Sequence, residues 1–105
     1  MNKKIQAVAI PLAVLNSASY QNASAHAKVL LIDVAAQYDG NNNGCLISTW
    51  SFLKGTWRSP VTAYKARMEL LKLGLLIEAT KGGAHKPQKL LLPKEWEVAF
   101  RRYKF

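Results

Sequence analysis

Acidic residues are scarce in this chain. It has 6 Asp and Glu against 15 Lys and Arg, for a formal net charge of +9 over 105 residues. Cysteine is scarcer still: Cys45 stands alone, which excludes an internal disulfide and a cysteine-based zinc site. The histidines are His26 and His85, and neither stands at a ligand or triad spacing. No phosphate-cradling motif is present, because Gly82-Gly83 precedes a strand pattern rather than a helix. Glu95 and Glu97 are two apart and cannot share one helical face. Catalysis is therefore not expected, nor is a cofactor. Asp39, Asn41 and Asn43 have the alternating spacing of a calcium loop, but Trp50 occupies the twelfth position, where a bidentate glutamate belongs. Long apolar runs are also missing. Met1-Asn-Lys-Lys followed by IQAVAIPLAVL has the outline of a signal peptide, yet Gln6 and Pro11 interrupt it and it is too short to span a membrane. These features lead to the expectation of a cytoplasmic protein with no membrane partner.

What is present suffices for one domain over 1–105, since half of the residues are hydrophobic and the length is near the usual domain size. The charge is unevenly placed. Residues 1–53 carry Lys3, Lys4 and Lys28 against Asp33 and Asp39, a net of +1, which leaves residues 54–105 at +8. Such a bias favours an anionic partner for the second half, nucleic acid being the commonest.

In chain order, residues 4–10 alternate weakly, as a short strand or an extended arm. Pro11 then opens a short helix through Leu12, Val14 and Leu15. Asn16 to Asn22 is rich in turn residues and is expected to be a connection. Ser24 caps a helix running to about Tyr38, with Ala27, Leu30, Leu31, Val34, Ala35 and Tyr38 at buried-face spacing. The DGNNNG segment, Asp39 to Gly44, is a loop. Cys45 to Ile47 form a short strand, and Ser48 or Thr49 caps a brief helix placing Trp50 and Leu53 towards the core.

A tight connection leads into the stretch from Trp57 to Ile77. Ser59 is its N-cap, Pro60 its first helical residue and Gly74 its left-handed stop. Two apolar stripes run along this helix, about 100° apart. Ala63, Ala66, Leu70 and Leu73 form one, which is expected to be core because it ends against Gly74. Val61, Tyr64, Met68 and Leu71 form the other. Leu75 to Thr80 and Gln88 to Leu92 are expected strands joined by Lys81 to Pro87, and Lys94 to Phe105 fits a basic amphipathic helix. The fold class is mainly α with a small β-hairpin, a winged helix-turn-helix whose core spans about 10–93.

In that architecture the helix of about 59–73 enters the major groove. Pro60, Val61, Thr62 and Lys65 approach the base edges, with Tyr64 a further candidate and Ser59 in the interface at the cap, and Lys54 and Arg58 grip phosphate near the helix start. The wing at 81–87 meets the backbone through Lys81, Gly82, Gly83, His85 and Lys86, with Lys89 behind it. Arg67 is a candidate partner for Asp33, and Trp57 a core anchor.

The run WRSPVTAYKARMELLKLGLLI followed by KGGAHKP resembles the small winged-helix proteins of phage and bacterial genomes, similar to the DNA-binding domains of phage and plasmid replication or regulatory proteins. The resemblance covers roughly Ile10 to Pro93 and is most specific at Thr62 to Gly74 with Gly82-Gly83. It implies double-stranded DNA as partner and a role as a phage or mobile-element regulator or replication factor. The alternative is a protein-binding winged helix, such as a phage-derived inhibitor of a host nucleoprotein complex, using Val61, Tyr64, Met68 and Leu71. A homodimer through the C-terminal helix is a further candidate.

Overall fold

Short polar side chains at helix starts set the element boundaries. The computed structural model describes residues 7–80 and 88–102. The elements are α1 (Leu12–Leu15), α2 (Ala18–Asn22), α3 (Ala25–Ala35), α4 (Trp50–Leu53), α5 (Pro60–Lys72), β1 (Ile77–Thr80), β2 (Lys89–Leu91) and α6 (Lys94–Arg102). The molecule is mainly helical with a small antiparallel sheet, an α+β architecture. No helix among the described residues is long and apolar enough to cross a membrane.

The segment expected to be a connection after α1 contains α2. Ser17 accounts for the difference: its hydroxyl donates to the Val14 carbonyl at 2.7 Å and accepts the Tyr20 N–H at 3.2 Å. One side chain thus closes α1 and caps α2, so turn-forming residues start a helix here. Ser24 and Ser59 cap α3 and α5 as expected, each accepting an N–H three residues on at 3.2 Å. Of the two candidates for the α4 cap, Thr49 is the one used.

Helix α3 ends at Ala35 rather than near Tyr38. The next two residues turn tightly, Gln37 and Tyr38 donating to the Val34 and Ala35 carbonyls. The Gln37 amide then brackets the backbone of Ile47, donating to its carbonyl at 2.6 Å and accepting its N–H at 3.1 Å. The strand expected at Cys45 to Ile47 is accordingly reduced to a single bridge, Leu46 to Leu90. Asn43 acts in the same way on Leu92, donating to its carbonyl at 2.9 Å and accepting its N–H at 2.7 Å. The loop is closed by its own side chains: Asp39 Oδ1 accepts the N–H groups of Asn41 and Asn42, and Asn42 Oδ1 accepts that of Asp39.

At the end of α5, Gly74 has φ +74 and the chain folds back, with the Gly74 N–H on the Leu71 carbonyl and the Leu75 N–H on that of Leu70. This is the paired bond pattern that ends a helix on a left-handed residue. It turns Leu75 and Leu76 into the interior, 6% and 1% exposed, so β1 starts at Ile77 instead of Leu75. β1 and β2 pair Ile77 with Leu91, Glu78 with Leu90 and Thr80 with Lys89, and the register shifts between Glu78 and Thr80.

The core forms where α3 meets α5. Leu30, Leu31, Val34, Leu46, Leu53, Leu70, Leu90 and Leu92 are buried in one cluster. Trp96 of α6 belongs to it too, at 2% exposed, so the core reaches beyond residue 93. Phe100 brings α6 against the loop, its ring 5.1 Å from that of Tyr38. Burial, with Glu97 and Asp39 adding to it and Arg101 opposing, raises the Tyr38 phenol above its ordinary value.

Glu69 ties α5 to the start of α3. Its carboxylate accepts the Ser24 backbone N–H at 2.6 Å and the Ser24 hydroxyl at 2.7 Å. These bonds, the backbone one first, hold its pKa below the ordinary carboxylate value against a smaller desolvation effect. A depressed folded pKa stabilises the protein above the unfolded value, and the contribution is lost as pH falls through the folded one. Glu69→Gln should therefore cost about 1 kcal/mol at neutral pH, discounted for solvent screening. Urea titrations at several pH values should show this gap closing in acid; a gap that widened there would refute the assignment.

Candidate nucleic-acid interface

Helix α5 presents three flanks. At about 100° per residue, Ala63, Ala66, Leu70 and Leu73 share one side. They are the core side, with Ala63 at 5%, Ala66 at 2% and Leu70 at 0% exposed. The opposite side carries Val61, Lys65, Met68 and Lys72, all exposed. Of the second apolar stripe, Val61, Tyr64 and Met68 are open to solvent, whereas Leu71 packs against the core.

The approach to α5 is basic as well. Lys54 and Arg58 are exposed on the turn between α4 and α5, and Ser59 is half-buried at the cap. Between them Trp57 packs against the core, and its indole N–H donates to Asp33 at 2.7 Å. Asp33 is thus taken by Trp57 and not by Arg67. The Arg67 guanidinium instead lies over the Tyr64 ring, 5.1 Å from its centroid.

Thr62 is half-buried on the α3 flank, in a cleft of about 380 Å³ shared with His26, Asp33 and Arg58. Asp33 makes the depth of that cleft a poor seat for an anion, so Arg58 at its margin is the group free to reach a phosphate. His26 is exposed, with its ring 6.0 Å from that of Trp57. Lys89 is half-buried at the end of the ladder opposite Thr80. Lys81, Gly82, Gly83, His85 and Lys86 lie outside the described residues.

Trp50 departs from expectation, being 36% exposed rather than core. A helix of one turn offers the core one deep position. Leu53 fills it at 2% exposed, which leaves Trp50 at the rim of a cleft against Pro60, Ala63 and Tyr64 of α5. Lys72, absent from the expected contacts, continues the face of Val61, Lys65 and Met68 on the fold. The three-and-four spacing from Val61 was the signal that carried this.

Among residues 50–76, Glu69 alone opposes Lys54, Arg58, Lys65, Arg67 and Lys72, and its carboxylate is bound to Ser24. The face is therefore cationic with apolar side chains between the charges. It can bind polyanions, and it can also cover apolar surface on a partner. No protein-family model, curated protein or solved structure matches the chain.

Proposed function

We propose that the chain is a double-stranded DNA-binding protein of winged helix-turn-helix architecture, acting as a phage or mobile-element regulator or replication-associated factor. Helices α4 and α5 are its helix-turn-helix, α5 enters the major groove, and the β1–β2 hairpin is the wing. The observation that carries this reading is the outward face of α5. Val61 and Lys65 are exposed near its start, Arg58 and Lys54 precede it, and the helix's acid is engaged by Ser24 on the α3 flank. Lys65 suits guanine acceptors and Val61 a thymine methyl, while Arg58 and Lys54 suit phosphates.

The Arg58→Ala, Lys65→Ala double variant should bind a duplex at least tenfold more weakly at low salt. Its slope of log affinity against log salt should be shallower by about 1, Arg58 being the phosphate contact of the two. Circular dichroism should be unchanged, because both side chains are exposed. Unaltered affinity in this variant would remove α5 from the interface.

A second reading, a protein-binding winged helix, is favoured by the exposure of Val61, Tyr64 and Met68 at 61%, 54% and 44%. On that reading duplex DNA binds weakly at moderate salt, and Val61→Asp abolishes capture of a defined protein partner.

A further inference from the structure

The cleft between α4 and α5 holds an unpaid polar cost. Arg67 lines it, and the Arg67 Nε is buried with no hydrogen-bond partner among the described residues. That atom is closed even to water, so a group seated in the cleft would meet the arginine through the outer nitrogens of its guanidinium fork. The rest of the lining limits what that group is. Leu53 and Ala63 provide apolar walls, Ser48 adds a hydroxyl-bearing residue only 6% exposed, and the rings of Trp50 and Tyr64 complete it. The volume is about 180 Å³, well under the roughly 300–1,000 Å³ of a pocket for a whole drug-sized ligand.

A phosphate fits this lining poorly, since it would lose its water to apolar walls against a single cation. A flat ring with acceptors on one edge fits it well, because its face meets Trp50 and its edge meets the arginine. We propose that the α4–α5 cleft takes one unpaired purine base of a nucleic acid, guanine being preferred because its O6 and N7 match the arginine fork. The inference rests on the nucleic-acid reading of α5 and extends it: the protein grips duplex through the outward face of α5 and an extrahelical or single-stranded base through the neighbouring flank. Trp50, 36% exposed on α4, is then a stacking surface next to a basic one.

Fluorescence anisotropy with two labelled duplexes, one fully paired and one with a single extrahelical guanine in the same sequence, tests this. The extrahelical guanine should tighten binding about tenfold or more, the scale of one base stacked on an aromatic side chain, and should quench tryptophan emission. Trp50→Ala and Arg67→Ala should each abolish the preference, and Trp50→Ala should leave affinity for the paired duplex unchanged. Because Trp50 is exposed, that variant keeps the test valid should Arg67→Ala fail to fold. Equal affinity of the wild type for both duplexes overturns the base site and leaves the DNA reading standing, as does a preference that survives Trp50→Ala. Failure to bind either duplex overturns both.

Discussion

Leu70→Ala is expected to lower the free energy of unfolding by about 3–4 kcal/mol, the middle of the range for a leucine deleted from a core. Leu70 is 0% exposed on the side of α5 that meets α3 and shares its cluster with Leu30, Leu31 and Val34. The site has little means of collapsing around the lost methyl groups. The Leu70 carbonyl accepts both the Leu75 and Leu76 N–H groups, which fixes the backbone where the helix turns back. Urea denaturation should show a lower midpoint with unchanged slope. A loss below about 1 kcal/mol would mean that α3 and α5 do not form the cooperative centre of the domain, since that is the scale of an ordinary surface change. The same variant bears on function, because the α3–α5 contact sets how far the outward face of α5 projects.

The second large effect belongs to Gly40→Ala, for which we expect a loss of about 2–3 kcal/mol, combining left-handed strain with a displaced side chain. Gly40 has φ +98, and a Cβ there would overlap the edge of the Phe100 ring. The Phe100 ring would have to leave its place beside Tyr38, loosening α6 from the loop. Two other glycines separate the contributions. Gly74→Ala meets nothing within 4 Å but keeps a φ of +74, so it should lose only the strain of about 1 kcal/mol or slightly more. Gly55→Ala meets neither obstacle and should be neutral or slightly stabilising. Thermal unfolding should rank them Gly40, Gly74, Gly55 in falling cost; any other order would locate the strain elsewhere.

Where structure follows from neighbouring residues, the amino-acid sequence was readable. The caps at Ser24 and Ser59 and the stop at Gly74 are each decided within a few residues. The choice of the Ala63, Ala66, Leu70 and Leu73 stripe as core also held, because its last member leads directly into that stop. What escaped was chemistry used twice or at a distance. Ser17 serves two helices at once, and turn composition concealed α2. Gln37 and Asn43 act as backbone substitutes for residues 10 and 49 positions away, a pairing that no local pattern encodes. At the candidate interface the exposed cations of α5 were legible from spacing. The exposure of Trp50 was not, because Leu53 outcompetes it for a position only the fold defines. Asp33 has a different partner from the expected Arg67 for a related reason: an indole N–H 24 positions away in sequence, at Trp57, occupies the carboxylate.

The amides of Gln37 and Asn43 have a consequence for self-association. Beyond β2, the polar backbone groups of Leu90 are taken by Leu46, and those of Leu92 by the Asn43 side chain. That margin of the sheet is closed to strand addition by a second molecule. The other margin is β1, exposed along its whole length and carrying Glu78, with its register broken before Thr80. An acidic, irregular strand is a poor template for edge-to-edge pairing. A concentrated sample of this protein should accordingly resist fibril growth through its sheet, and Asn43→Ala, by uncovering the Leu92 groups, is the change that reopens that route.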